Sequence, residues 1–521
     1  MLVLIPPTII TLLVFEYFRR ALLKRRQRPL PPGPPSKFII GNLNDLPGKD
    51  ELPHVHFAKH KDLYGPISSL TIFGINIIIV NDANIANELL NKHSVQTSGR
   101  PHGEFACEMV NLKQFMSLTP DNAFFRDQRK AMHREIGTKA GVSKSYHLQE
   151  VEVARFLLRV LKQPEGLVGH MRTEAGAMIL KLAYGYTVEP HGTDPLVELA
   201  ELVVSRFFFA MMPGAWFVDI LPFLKHLPDW FPGTGFKQTA KEWRAAADAF
   251  ATKPFEFVKR NIASGEYNPS YTSSLLLSKD ARRDARQGRI IKWSAAAMYA
   301  GGADTTVASM ECFFLAMVLY PEVQRKAQEE LDRVVGDRLP RFDDRANLPY
   351  IGALVKEVLR WYPVAVIGIP HVATEDDVCG EYRIPKGAQI ISNIWAIMHD
   401  PNLYADPKTF NPDRFLAHDN HVPEQDPSAF AFGFGRRICP GRVLADANLY
   451  LNIASFLAVY KIGPAIRDGK PVPVTAEFVP NLISHPTPFE FTVEPRSPAH
   501  EQRIRELEVK YPWEESHAKE L

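Results

Sequence analysis

One cysteine in this chain sits among residues whose types and order suit a single chemical task. Cys439 lies in Phe432-Gly433-Phe434-Gly435-Arg436-Arg437-Ile438-Cys439-Pro440-Gly441, spaced as F-x-x-G-x-R-x-C-x-G. A thiolate is a soft ligand that donates electron density to a bound transition metal. Gly435 permits a tight turn that a side chain would obstruct, and Gly441 lets the next element approach a flat ligand closely. Arg437 offers a planar cationic fork suited to a carboxylate on such a ligand. Phe432 would cover the sulfur and exclude water, which tunes redox behaviour. A helix beginning near Arg442 would aim backbone N–H groups at the sulfur and hold it ionised. A buried structural cysteine is the competing explanation, and four companions at fixed spacing weigh against it.

Two further groups stand upstream. Ala300-Gly301-Gly302-Ala303-Asp304-Thr305-Thr306 falls inside an apolar helix expected over roughly Ile290 to Leu319. Adjacent glycines inside a helix cost about 1 kcal/mol each relative to alanine, so they need a reason. Room for a flat ligand is one; a small-residue packing surface is the other. Thr305 shares a face with Gly301, and its hydroxyl can bond the Gly301 carbonyl and open a polar notch. Farther on, Glu357 and Arg360 stand at i,i+3 beside an apolar stripe of Ile351, Leu354, Val355, Val358 and Leu359. Taken alone they form a solvated surface pair worth roughly a few tenths of a kcal/mol.

The Cys439 string resembles the haem-binding loop of the cytochrome P450 family and matches it at all five positions. Ala300–Thr306 is similar to that family's oxygen-activation motif, and Glu357-x-x-Arg360 to its E-x-x-R. Asn411-Pro412-Asp413-Arg414-Phe415 is close to its P-E-R-F and supplies Arg414. The resemblance implies a mainly α fold with a small β-rich lobe and haem b buried between two long helices. It implies Cys439 as axial thiolate, with Phe432, Gly435 and Gly441 shaping the loop around it. Thr305 would steady bound dioxygen and its protons, and Asp304 would relay protons to it. Glu357, Arg360 and Arg414 would form a buried ion triad that fixes register.

Arg437, Arg129 and His371 are implied partners of the haem propionates. Arg129 belongs to Phe125-Arg126-Asp127-Gln128-Arg129, which is similar to the family's W-x-x-x-R with phenylalanine in place of tryptophan. Phe125 cannot donate the indole hydrogen bond. Arg126, Lys130, Arg134, Arg436 and Arg442 would supply the positive surface on which an acidic reductase docks.

The implied activity is monooxygenation of a hydrophobic small molecule with O2. Electrons would come from NADPH through a flavin reductase, with cytochrome b5 as a second candidate donor. A haem-thiolate isomerase or dehydratase and a non-catalytic haem-binding membrane protein are the alternatives; both fit the Asp304–Thr305 pair less well. Gly368 to Asp377 resembles fungal members that act in secondary metabolism. Arg100–Leu118, Val364–Ile369 and Phe478–Ser484 are mostly apolar and expected to line the cavity.

The elements that must position these groups are mostly helical in period, with a hairpin expected at Ile67–Val80 and short strands at Ile384–Ile390 and Phe489–Val493. The chain has 521 residues, 61 Lys+Arg against 59 Asp+Glu, and a net charge of +2, which suggests no nucleic-acid partner. Its four cysteines are scattered, which argues against a disulfide framework or a zinc site. Leu2–Phe18 is mostly apolar, interrupted by Pro6, Pro7 and Glu16, and runs into Arg19-Arg20-Ala21-Leu22-Leu23-Lys24-Arg25-Arg26-Gln27-Arg28, with a disordered apolar tail as the alternative to an anchor. That order reads as a membrane anchor with the remainder on the cytoplasmic side of the endoplasmic reticulum membrane.

The expected division is an anchor and basic flank at 1–28, a Pro-rich hinge at 29–36, one catalytic domain at 37–496 and a charged tail at 497–521. The tail is expected to be frayed or helical on the surface. Trp216, Phe217, Trp230 and Phe231 divide evenly between buried core and membrane contact.

Overall fold

Helical periodicity over most of the chain produces the helices that carry this fold, seen in a computed structural model that describes residues 28–212, 214–278, 284–418 and 421–521. The Leu2–Phe18 anchor segment and the basic cluster after it lie outside the described residues. The longer helices are α1 (Pro53–Tyr64), α2 (Ala123–Ile136), α3 (Tyr146–Lys162), α4 (Leu167–Tyr184), α5 (Pro195–Ala210) and α6 (Gly235–Ser264). They continue as α7 (Ala285–Ala303), α8 (Thr305–Leu319), α9 (Pro321–Val334), α10 (Pro349–Trp361), α11 (Arg442–Val459) and α12 (Pro498–Lys510). Proline opens α1, α5, α9, α10 and α12, where its fixed φ suits the first turn and its missing N–H costs nothing.

The expected hairpin is present as β1 (Ile67–Ile72) and β2 (Ile75–Val80), paired Ile72 with Ile75. Its turn residues Phe73 and Gly74 both take positive φ, as a two-residue hairpin turn requires. After β3 (His371–Val372), β4 (Asp377–Cys379) and β5 (Tyr382–Ile384), the strand β6 (Gln389–Ser392) pairs parallel to β2 and antiparallel to β3. The four-stranded order is therefore β1-β2-β6-β3. The expected strand at Phe489–Val493 lies at β8 (Phe491–Pro495), paired with β7 (Tyr460–Pro464).

Two large clusters form the core. One is built chiefly by α2 and α4–α7; the other by α3 and α8–α11. Helix α11, which follows Cys439, joins them: Leu444 and Ala447 enter the first cluster and Leu449 to Val459 the second. Among the described residues, Ala285–Leu319 is the stretch long and apolar enough to cross a membrane, but it is mostly buried inside the fold.

Three sequence expectations are revised. The Pro-rich segment is laid against the sheet and does not stand off as a spacer: Ser69 donates from N–H to the Pro32 carbonyl and from Oγ to that of Pro31. The tail beyond α12 is docked. Arg155 donates to the Pro512 carbonyl at 2.7 Å, Trp513 sits under Arg159, Thr187 and His517 exchange hydrogen bonds, and Leu521 packs on the first core cluster. In the aromatic region, Trp216 stacks on Phe105 at 3.6 Å, whereas Phe217 and Trp230 are 74% and 80% exposed.

Candidate functional site

The Cys439 loop is held from behind. Gly435 takes φ +53°, and a Cβ there would fall 2.0 Å from the Leu90 carbonyl oxygen, so only glycine permits this approach. The Gly435 N–H donates to Asn91 Oδ1 at 2.6 Å. A single 3-10 turn, Gly435–Arg437, follows, and the Cys439 N–H then closes on the Phe432 carbonyl at 2.8 Å. Phe432 thus meets Cys439 through its backbone, while its ring packs on the second core cluster. Gly441 is less constrained than expected, since a Cβ would meet Cys439 Sγ at an ordinary 3.9 Å.

Cys107, Cys312 and Cys379 are buried, but Cys439 is partly exposed. Burial in apolar surroundings pushes its thiol up from the ordinary value, and the Gly441 N–H, Arg129 and Arg442 oppose that push without reversing it. A bound metal cation would deprotonate a coordinating thiol outright.

Beside the loop stand three arginines and a histidine, with Arg437 and His371 buried and Arg100 and Arg129 half-buried. Arg437 donates from Nε to the Ser98 carbonyl at 2.8 Å and from Nη1 to that of Met116, while its buried Nη2 has no acceptor among the described residues. Phe125, in place of an indole, lies beneath that guanidinium at 3.9 Å. Arg129 donates to the Ile438 carbonyl, next to Cys439, at 2.9 Å. His371 is buried with Nδ1 2.9 Å from the Thr97 carbonyl oxygen.

Arg100 completes the group, donating to the carbonyls of Ser117, Ile369 and Pro370. Burial, and then repulsion from one another, lowers the pKa of Arg100 and depresses His371. Burial likewise lowers Arg437 to about 10, with Arg129 adding repulsion and Asp121 opposing it. Asp121 is engaged by Arg126 at 3.0 Å and Arg436 at 3.6 Å. Like charges partly buried together need an anion, and the two propionates of a haem fit that need. Arg100 entered the sequence reading only as the edge of a cavity-lining segment; no local pattern marks it.

The expected helix around Asp304 is present with a one-residue break in its hydrogen-bond ladder. Helices α7 and α8 meet at Asp304, which stays right-handed helical at φ −104° and ψ −38°, and Thr305 Oγ1 donates to the Gly301 carbonyl at 2.6 Å. A threonine that bonds back in this way loosens the helix. The adjacent glycines serve different purposes. A Cβ on Gly301 would meet nothing within 4 Å, whereas one on Gly302 would lie 2.6 Å from the Ile179 side chain. Gly301 borders open space, and Gly302 admits α4.

Asp304 also meets a residue absent from the sequence reading. His485 Nε2 is 3.3 Å from Asp304 Oδ2, and its Nδ1 is 2.6 Å from Glu311 Oε2. The apolar segment Phe478–Ser484 ended one residue short of it. The three expected cavity segments do converge: Arg100 is tied to Ile369, Ser484 N–H donates to the Val364 carbonyl, and Phe478 stacks on Tyr362.

Glu357 and Arg360 are completely buried, so the solvated-pair reading fails. Glu357 accepts from Arg360 at 2.7 Å and from Arg414 at 3.3 Å. Arg360 is further satisfied by the Met398 and Pro407 carbonyls, and Arg414 by Glu424 at 2.7 Å. With every charge partnered, the triad ties α10 to the segment that leads into the Cys439 loop.

A family model described as Cytochrome P450 matches residues 31–493. The chain is 46% identical over 504 residues to a cytochrome P450 monooxygenase, ppsD, of Aspergillus oryzae, covering 96% of this chain and 95% of that protein. It is 48% identical over 482 residues to the monooxygenase claR of Ampulloclitocybe clavipes, with 92% and 89% covered. An O-methylsterigmatocystin oxidoreductase of Aspergillus flavus is 41% identical, with 96% and 94% covered. Among solved structures, a zebrafish cytochrome P450 with abiraterone superposes with TM-score 0.66 at 23% identity, covering 85% of this chain and all of that one, a likeness of fold.

Proposed function

Since the chain belongs to the cytochrome P450 family and is a monooxygenase of that family, we propose that it inserts one oxygen atom from O2 into a hydrophobic small molecule of fungal secondary metabolism. Electrons come from NADPH through a flavin reductase. The observation that carries this reading is the arginine cluster beside a lone, partly exposed cysteine, in which the buried Arg437 Nη2 has no partner among the described residues.

Haem, when bound, supplies the binding and reductive activation of dioxygen. Cys439 would ligate its iron through sulfur, and Arg437, Arg129, Arg100 and His371 would hold its propionates. Gly435 brings the loop close to its support, Phe432 closes it through its backbone bond to Cys439, and Gly441 leaves the sulfur uncrowded. Thr305 holds a hydroxyl proton at the notch opened by its bond to Gly301, and Asp304 delivers protons to that notch. Arg126, Lys130, Arg134, Arg436 and Arg442 are all exposed and form the cationic face for the reductase or cytochrome b5.

Residues 1–28 anchor the chain in the endoplasmic reticulum membrane ahead of the hinge at 29–36. Exposed Phe217, Phe223 and Trp230 add a second lipid contact. The catalytic domain spans 37–496, and the tail 497–521 straps its surface.

The test uses full-length enzyme with reductase, NADPH and isotopically labelled O2 on a panel of hydrophobic metabolites from the source fungus. One labelled oxygen per product molecule is expected. Turnover that needs neither reductase nor O2 would replace this reading with an isomerase or dehydratase. No ligand-induced spectral shift and no turnover across the panel would favour a non-catalytic haem protein.

A further inference from the structure

The monooxygenase reading uses Asp304 and Thr305 but leaves unexplained the imidazole wedged between two carboxylates beside them. Asp304 and Glu311 stand seven residues apart, about two helical turns, and so project on the same side of α8. His485 enters from the loop that crosses over them. That loop is fastened on both sides: Val479 N–H donates to the His485 carbonyl, and Ser484 Oγ reaches the Tyr362 hydroxyl and the Val479 carbonyl. These bonds fix the backbone that carries His485, and the ring itself is held by its contacts with Asp304 and Glu311. Asp304, His485 and Glu311 are 25%, 20% and 14% exposed, so water reaches the cluster only at its edge.

We propose that His485 is a positioning residue that holds the Asp304 carboxylate aimed, and that passes it the protons destined for Thr305. This rests on the monooxygenase reading above. Both ring nitrogens face carboxylate oxygens, so the imidazolium, with two N–H donors, satisfies both contacts and the neutral ring only one. The two carboxylates hold the ring protonated to about pH 9, against the opposing cost of burial. Among the described residues, Asp304 and Glu311 are the charged groups facing it.

The transfer balances without another reactant. The proton on Nε2 moves to Asp304 Oδ2, leaving a neutral imidazole whose Nδ1–H stays on Glu311. Asp304 passes that proton toward the Thr305 hydroxyl and returns to carboxylate. Water at the exposed edge then reprotonates Nε2. Glu311 takes no proton; it fixes the tautomer and ring plane.

Two measurements test this, and they can fail separately. The first is independent of turnover: side-chain NMR of histidine-labelled protein in the diamagnetic ferrous carbonyl form. One histidine, assigned by its loss in His485→Gln, should titrate well above the ordinary imidazole range, and Glu311→Gln should bring its midpoint down by about one pH unit or more. A midpoint near about 6.5, unmoved by Glu311→Gln, would overturn the clamp.

The second is the ratio of peroxide released to NADPH consumed, read across pH with a substrate that the wild type oxidises. Wild-type coupling should hold steady and then decline as His485 deprotonates. His485→Gln should release several-fold more peroxide at neutral pH and lose that pH dependence, and His485→Lys should recover part of the coupling. Wild-type coupling in His485→Gln at every pH would overturn proton loading. If the wild type oxidises nothing, the monooxygenase reading fails while the NMR result still decides the clamp.

Discussion

Arg437 has an N–H that nothing among the described residues accepts, and a buried charged donor left unpaired is destabilising. The simplest account is that its acceptor arrives with the cofactor. A charge-assisted hydrogen bond is worth about 1.5–3 kcal/mol, so Arg437→Leu should weaken haem retention roughly tenfold to a hundredfold. Haem loss to an excess of apo-globin measures this, with circular dichroism to confirm that the fold persists. Unchanged retention would place the propionates elsewhere.

The Cys439 loop was legible residue by residue because its turn, its donor and its ligand all lie within ten consecutive positions. Arg100 and His485 were not. Each reaches the site through long-range packing, Arg100 against Ile369 and His485 against Glu311, and a single sequence carries no mark of such pairings.

At the scale of elements, the join of α7 and α8 does the most. The paired glycines and Thr305 announced a weakened helix, and the bond from Thr305 to Gly301 is the one their spacing suggested. The interruption at Asp304 was not foreseen, because an apolar run of this length reads as continuous whatever happens at one polar residue. Substituting each glycine should separate their purposes. Gly302→Ala drives a methyl into Ile179 and should destabilise by about 1–3 kcal/mol, partly offset by alanine's better helix propensity. Gly301→Ala meets no protein atom, so the cofactor-free fold should hold or gain up to about 1 kcal/mol while cofactor or substrate binding weakens. Urea unfolding of the apoprotein, paired with spectral titration of the holoenzyme, distinguishes the two. Equal effects of both changes on folding would refute this division.

The E-x-x-R pair makes the same point from the other side. Its helical spacing was plain, but its complete burial depends on Arg414 and on three carbonyls contributed by a distant loop.

At the scale of the whole molecule, the two core clusters meet along α11, and one buried carboxyl marks the seam. Glu174 of α4 accepts from Asn448 and Asn452 of α11, and burial raises its pKa from 4.5 to about 7. The folded state therefore holds this proton more tightly than the unfolded chain. Its contribution is fully present below the unfolded value and disappears as pH rises through 7, a swing on the order of 3 kcal/mol. Glu174→Gln keeps an acceptor for both asparagines and should flatten stability between about pH 5 and 8 relative to wild type. Denaturant midpoints at the two ends of that range would show it, and parallel wild-type and variant curves would contradict it. The mainly helical body and its small sheet were readable from periodicity. The docking of the tail and of the proline segment was not, because charge and proline content set local stiffness and solvation without naming a partner surface.

All three scales converge on one sulfur. If Cys439 is the thiolate that holds haem, the reduced, carbon monoxide-bound full-length enzyme will show the strongly red-shifted Soret band of thiolate ligation, and Cys439→Ser will lose it. A Cys439→Ser protein that binds haem and keeps that band would contradict the assignment.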